Sequence, residues 1–228
     1  MRIAEIYQSR QGEGLLAGTP SVFVRTSGCN LRCWFCDTPH TSWHPEGEDL
    51  SVTQVLARAL GYSATHVVLT GGEPMLYSEL IPLTERLRTA GRHITIETAG
   101  TLFLPVACDL MSISPKLAGS APSPRSDSAW HRRHQRSRNA PKVIRQLVEH
   151  YRYQVKFVVD SPEDIDEVER YLAEFPEIDR ARVGLMPQGT CPEQLAGIAS
   201  WLQPYCQAHD LHFFARHHIA WYGFVRGS

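Results

Sequence analysis

His66-Val67-Val68-Leu69-Thr70-Gly71-Gly72-Glu73-Pro74 is the stretch on which the fold turns. Its first four residues make a short, β-branched run of the kind buried in a sheet, and it passes without a break into a glycine pair. Two glycines at the C-terminal end of a strand mark a place where something comes close to the backbone. Upstream, Ser51 with Gln54 reads as a capping box opening a helix over 52–60, and downstream a helix is expected around 76–90. The same alternation runs on through strands at 94–98 and 110–114, a helix at 141–150, and a strand at 154–159. Ser161 then caps a helix reaching 175, with Pro162 at its first helical position, and a strand follows at 182–186. Thr190 caps a last long helix, and a strand at 211–215 closes the series. Before the quoted stretch lie strands at 2–7 and 21–25, joined through Gly12, Gly14 and Gly18. Strands alternating with helices of this length demand crossover connections, hence a mainly parallel α/β sheet, either open or curved toward a barrel.

The 228 residues fit one domain, 1–228. With 23 Lys+Arg against 24 Asp+Glu the net charge is -1, so bulk charge recruits neither nucleic acid nor an anionic membrane. No apolar run approaches the roughly 18 residues of a membrane span. Glu5 stands where an export leader has its apolar stretch, so a cytoplasmic protein is expected. One segment, 119–139, shows no apolar periodicity and contains His131-Arg132-Arg133-His134-Gln135-Arg136-Ser137-Arg138. It reads as an irregular, solvated surface loop, with a basic docking site for phosphate or RNA as the alternative.

Three of the six cysteines, Cys29, Cys33 and Cys36, form C-x3-C-x2-C, whereas Cys108, Cys191 and Cys206 stand alone and read as inert thiols. Three thiolates on a short loop leave a metal centre one position short. His40 would complete a Cys3His zinc site, although a chain with this many strands needs no such staple. The alternative is a [4Fe-4S] cluster whose fourth iron stays free to bind a ligand.

That motif, followed at the next strand end by Gly71-Gly72-Glu73-Pro74, resembles the radical S-adenosylmethionine superfamily. More islands resemble one family within it, the 7-carboxy-7-deazaguanine synthases: Gln11-Gly12-Glu13-Gly14, Phe23-Val24-Arg25, Gly28-Cys29-Asn30-Leu31, Cys36-Asp37-Thr38, Ser114-Pro115-Lys116, the run from Gln154 to Val159, and Met186-Pro187. The resemblance implies an incomplete (β/α) barrel of about six core strands. It further implies conversion of 6-carboxy-5,6,7,8-tetrahydropterin to 7-carboxy-7-deazaguanine with loss of ammonia, on the route to queuosine. A [4Fe-4S] cluster, S-adenosylmethionine and Mg2+ are its cofactors. Its partners are the small pterin, a flavodoxin- or ferredoxin-type electron donor and a second copy in a homodimer, with no nucleic acid and no membrane.

Carried over residue by residue, the family's features assign Cys29, Cys33 and Cys36 to the cluster and Thr38 to magnesium. Phe35 packs on the adenine of S-adenosylmethionine, and Met186, Pro187, Gln188 and Gly189 close on its other side. Ser114, Pro115 and Lys116 hold its ribose or carboxylate, while Cys36, Asp37, Gly72 and Glu73 complete the cofactor set. The substrate set is Arg10, Gln11, Gly12, Glu13, Arg25, Thr70 and His217. Arg25 ends an apolar strand, where a guanidinium either pairs at the surface or grips a carboxylate at a barrel mouth. His217 is preferred to His218 because neighbours on a strand face opposite ways. No residue beyond the cluster and its cofactor is assigned to the chemistry.

Two rivals remain at this point: a related radical enzyme acting on a protein, and a zinc-stapled module using Arg132 to Arg138 on RNA. The chain also departs from the family by running on from Trp221 to Ser228, which leaves the last substrate contact unassigned.

Overall fold

The computed structural model describes residues 1–227. Its strands are β1 (Arg2–Arg10), β2 (Pro20–Thr26), β3 (Glu48–Asp49), β4 (His66–Gly71), β5 (His93–Thr98), β6 (Leu110–Ile113), β7 (Tyr153–Val159), β8 (Val183–Pro187) and β9 (His212–Phe213). They form one open sheet in the order β3-β1-β2-β4-β5-β6-β7-β8-β9. From β2 to β9 every pairing is parallel, and only β1 runs antiparallel, to both β2 and β3. This is the expected incomplete barrel.

The helices are α1 (Pro39–Ser42), α2 (Val52–Leu60), α3 (Leu80–Thr89), α4 (Ser128–Ser137), α5 (Pro141–His150), α6 (Glu163–Glu174), α7 (Pro192–Ala208) and α8 (His217–Tyr222). None is long and apolar enough to cross a membrane. On the sheet, Val67 and Leu69, Ile94 and Ile96, Met111 and Ile113, Val155 and Phe157, and Val183 and Leu185 belong to one core cluster with α2, α3, α5, α6 and α7. Each such side chain, fully buried, contributes roughly 1.5–3 kcal/mol. Strand residues alternate faces, so the intervening positions point to the other side of the sheet. There stand Thr70, Glu97, Ser112, Gln154 and Lys156, and that polar face is where a site can be built.

Several boundaries differ from the sequence reading. The capping box at Ser51 and Gln54 is present. The helix expected from 76 starts at Leu80, because Glu73 caps a separate 3₁₀ turn, Pro74–Leu76. Cys191, not Thr190, is the N-cap of α7, with the Thr190 N–H donating instead to Gln194. Pro162 precedes α6 as its N-cap, and the Ser161 amide donates to the Asp164 carboxylate. His217 and His218 lie on a helix, not a strand.

The largest correction is that 119–139 is not an irregular loop. It holds α4, capped by the Asp127 carboxylate on the Trp130 N–H at 2.9 Å. The inward side of this helix carries Trp130 and the fully buried His134, four positions apart. An aromatic and an imidazole therefore do what aliphatic side chains do elsewhere, so no apolar periodicity marks the helix.

Candidate active site

A cavity of about 550 Å³ opens at the C-terminal ends of the parallel strands, within the size range of small-molecule sites. Its wall takes Thr70 and Gly71 from the end of β4 with Gly72 just after it, Thr98 ending β5 with Ala99 after it, Ser114 and Lys116 after β6, Val158 from β7, and Met186 and Gln188 around the end of β8. The 29–40 segment forms another side, and Glu5, Tyr7 and residues 10–13 at and beyond β1 a third. Gly72 is needed where it stands, since a Cβ there would run into the carbonyl oxygens of Gly28 and Thr41.

Within the cysteine loop the residues alternate. Cys29, Leu31, Cys33, Phe35 and Cys36 line the cavity, whereas Arg32 and Trp34 do not. Burial pushes the Cys29 thiol up to about 11 and Cys33 up to about 12, so neither is a self-activated nucleophile. A cation must bind to draw out their thiolates. Three soft donors facing one cavity fit a cluster that leaves one iron open. A zinc ion instead needs its ligands converging on a point, and among the described residues no three His, Cys, Asp or Glu side chains do so. His40 lines the same cavity but has its buried Nε2 without a hydrogen-bond partner.

The outer side of the loop is held by α4. The Arg32 N–H donates to His134 Nδ1 at 3.1 Å, so His134 Nε2 carries the hydrogen and donates to Ser120 Oγ at 2.9 Å. Ser120 Oγ in turn donates to the Leu117 carbonyl at 2.6 Å. Burial, then Arg138 and Lys116, bring His134 down to about 4, which keeps the ring neutral. Trp34 adds two more ties, its amide to the Ser120 carbonyl and its indole N–H to the Gly119 carbonyl. His134→Ala would orphan the Arg32 amide and open a void, and should cost about 2 kcal/mol. Thermal unfolding of the two proteins at one pH measures that loss.

Opposite the cysteines lies a chain of charges. Glu13 pairs with Lys156 through one oxygen and with Arg216 Nε at 3.2 Å through the other, with His218 Nδ1 at 3.9 Å. Burial would raise the Glu13 carboxyl, but Lys156, Arg216 and His218 together hold it well below the usual carboxylate range. Arg216 also binds Asp37 and donates to the Gly189 carbonyl at 2.6 Å, which ties the cysteine loop to the end of β8. Arg25 donates through Nε to Glu5 at 2.7 Å and through Nη2 to the Tyr7 hydroxyl at 2.9 Å. Burial opposes its charge, yet Tyr7 and Glu5 keep it firmly protonated. Thr70 donates to Glu97 at 2.7 Å, and Lys116 donates to the Ser114 carbonyl and hydroxyl at 2.7 and 2.8 Å.

Of the residues expected from sequence, Arg10, Gln11, Gly12, Glu13, Arg25, Phe35, Asp37, Thr38, Thr70, Gly72, Ser114, Lys116, Met186 and Gln188 line the cavity with the three cysteines. Pro115, Pro187 and Gly189 lie outside its wall, Gly189 meeting it only through its carbonyl on Arg216. Glu73 does not face the cavity. It is fully buried, and its carboxylate accepts from the Met75 and Ala99 amides and the Thr98 hydroxyl, so it fixes the backbone beside Gly72. His217 is corrected to His218. At the start of α8 the His217 ring turns outward onto Trp221, while the His218 ring packs where a Cβ on Gly12 would sit. Burial holds His218 below its ordinary range despite Glu13.

Sequence reasoning missed Glu5, Tyr7, Glu97, Lys156 and Arg216, all in the cavity wall. The signal for Lys156 was available: a lone cation in the run of β7, where only Gln154 is otherwise strongly polar. The tail was unassigned, and it contributes Phe224, Val225, Arg226 and Gly227 to the wall, with Arg226 paired to Glu5 at 3.2 Å and Glu46 at 3.0 Å.

The model of the Radical SAM superfamily matches residues 23–116. The chain is similar to a 7-carboxy-7-deazaguanine synthase of Rhodopirellula baltica, 44% identical over 99% of this chain and 88% of that protein. It is equally similar to one of Halobacterium salinarum, 44% identical over 96% of this chain and 89% of that protein. Among solved structures it resembles QueE from Escherichia coli with a TM-score of 0.70 and 27% identity, covering 95% of this chain and 94% of that one. A likeness of fold alone extends to Streptococcus suis SuiB, at a TM-score of 0.51 and 16% identity over 85% of this chain and 47% of that one. With three cysteines and a glycine pair meeting at one strand-end cavity, and with such relatives along nearly its full length, the chain belongs to the 7-carboxy-7-deazaguanine synthase family of the radical S-adenosylmethionine superfamily.

Proposed function

We infer that the strand-end cavity is where this radical S-adenosylmethionine lyase takes 6-carboxy-5,6,7,8-tetrahydropterin to 7-carboxy-7-deazaguanine, with loss of ammonia. The observation that carries the assignment is that Cys29, Cys33, Cys36, Arg25 and Thr38 share one cavity. Cys29, Cys33 and Cys36 would hold a [4Fe-4S] cluster, which with bound S-adenosylmethionine supplies the one-electron cleavage that starts radical chemistry. The chain's own residues supply binding and orientation. Phe35 and Met186 line the cavity as apolar contacts for an adenine, and Ser114 with Lys116 offers a hydroxyl and an ammonium to polar groups of the cofactor.

Arg25 is the group for the pterin carboxylate. Glu5 takes its Nε and Tyr7 its Nη2, which fixes the guanidinium plane and leaves Nη1 for substrate. Gln11 donates through Nε2 to Ser21 Oγ at 2.9 Å, so its amide oxygen is the atom available to a ring N–H. Each Glu13 oxygen already takes one cation and retains a lone pair for a ring N–H. Neutral His218 replaces His217 in this set.

Thr38 is the residue for magnesium, an ion that prefers oxygen ligands and keeps several waters. Its hydroxyl lines the cavity and makes only long contacts, accepting from Thr41 Oγ1 at 3.3 Å and lying 3.8 Å from the Cys36 sulfur. A flavodoxin- or ferredoxin-type donor and a homodimer belong to the same reading.

The two pocket variants should fail differently. Arg25→Ala should weaken pterin binding on the order of a hundredfold, with no rescue by added magnesium. Thr38→Ala should raise the magnesium requirement and recover part of its turnover in excess magnesium, because water can replace one neutral ligand. Steady-state kinetics across pterin and magnesium concentrations separate the two. Wild-type pterin affinity in Arg25→Ala, or wild-type magnesium dependence in Thr38→Ala, would show that the assignments sit on the wrong residues.

A further inference from the structure

We propose that the outer face of α4, beside Trp34, is the docking surface through which an acidic one-electron carrier protein reduces the cluster. This rests on the cluster assignment above. From residue 125 to 138 the chain carries five arginines against one acid, Asp127, in a protein of net charge -1. Arg138 is used internally, on Glu167 at 3.1 Å. Arg125, Arg132, Arg133 and Arg136 are exposed, and among the described residues none has an acid within ion-pair distance. Arg133 lies on the Trp130 ring, but among the described residues none of the four guanidinium charges is offset by a paired acid, and together they make a field that draws an acidic surface.

Position decides which acidic surface. The helix is packed on the back of the cysteine loop: the Arg32 guanidinium lies 4.0 Å from the centre of the Trp130 ring, and Arg133 stacks on the same ring at 4.5 Å. Trp34, next to Cys33 in sequence, is 51% exposed although it is held by two hydrogen bonds. A large aromatic kept at the surface, rimmed by cations, has the composition of an interface anchor. The cysteines point to the other side of this loop, into the cavity that cofactor and substrate fill. An electron from outside therefore has its short route through the loop, from the α4 side. One electron leaves the reduced carrier, oxidising it by one, and the cluster gains that electron; no atom or proton moves with it. RNA would also be drawn by arginines, but nothing about RNA binding requires them to sit over the cysteine loop.

The experiment uses purified acidic flavodoxin as probe with the full-length protein, wild type, Arg132→Glu/Arg136→Glu, and the milder Arg125→Gln/Arg132→Gln/Arg136→Gln. Flavodoxin affinity is measured by calorimetry on iron-free protein at low and high salt, and turnover of reconstituted protein is driven separately by flavodoxin and by dithionite. We expect flavodoxin binding and flavodoxin-driven turnover to fall by more than about tenfold in the charge-reversed protein and by less in the neutralised one. Dithionite-driven turnover should stay within about twofold of wild type, and wild-type binding should weaken with salt. Unchanged flavodoxin affinity in both variants would overturn the proposal. So would tRNA binding at physiological salt that the same substitutions abolish. A wild type that cannot turn over with dithionite overturns the active-site reading, and the docking proposal with it.

Discussion

Cys33→Ala protein, reconstituted without oxygen, is expected to lose all turnover and most of its iron, while Cys108→Ala, Cys191→Ala and Cys206→Ala keep both. The difference follows from where the six thiols lie. Cys33 is buried in the cavity wall between Cys29 and Cys36 in the chain, and among the described residues no side chain hydrogen-bonds its sulfur. Removing it leaves two thiolates where the open-iron arrangement needs three. Cys108 precedes β6 with its thiol 3.7 Å from the Ile94 carbonyl, Cys206 is buried in α7, and Cys191 caps that helix; none lines the cavity. Losing one buried sulfur also costs some packing, about 1 kcal/mol, so thermal unfolding of iron-free Cys33→Ala should stay near wild type. Iron and sulfide analysis with an assay for product makes the test, and full iron retention in Cys33→Ala would falsify it.

The parallel sheet was legible because its strands are short apolar runs separated by helical spacing, and burial on both faces leaves that mark in β4, β5 and β8 whatever the chain does elsewhere. The cysteines and the glycine pair were legible because their chemistry and spacing survive without coordinates. What stayed hidden were residues whose role depends on pairing. Arg216 looks like any arginine near the end of a chain, yet it joins Glu13, 203 residues away, to Asp37. No local pattern encodes such a contact. The helix α4 was missed for a related reason: its inward face is Trp130 and His134, and the signal sought was aliphatic. The histidine was misassigned through a wrong local geometry. Treating 217 and 218 as strand residues made them alternate, whereas the helical start rotates His217 onto Trp221 and His218 onto Gly12.

Glu13→Gln should destabilise the fold by about 3–5 kcal/mol at neutral pH, because it strands a buried cation instead of removing a pair. For a chain of this length that is a fall in Tm on the order of 10 °C. Arg216 retains Asp37 and the Gly189 carbonyl, but among the described residues Lys156 has its hydrogen bond to Glu13 and no other. The ammonium, buried at the cavity wall, then keeps only the longer-range attraction of Glu97 in place of its ion pair, or gives up its proton. The sign with pH follows from the carboxyl. Glu13 is held below its unfolded value, so its contribution is fully present above the unfolded value of roughly 4.3 and is lost as pH falls toward the folded one. The stability gap between wild type and Glu13→Gln should therefore be level from about pH 5 to 8 and narrow below about pH 4. Adding Lys156→Met to Glu13→Gln removes the stranded charge and should recover more than half of the lost stability, as exchange of a buried pair for packed apolar atoms does. Turnover should not return with it, since the cavity then lacks the carboxylate assigned to the pterin. Denaturant titrations of the four proteins in this cycle, at two pH values, measure each step. A Glu13→Gln protein as stable as wild type at pH 7 would mean that the Lys156 and Arg216 contacts are no more than surface pairs, and a double variant with restored turnover would take Glu13 out of the substrate set.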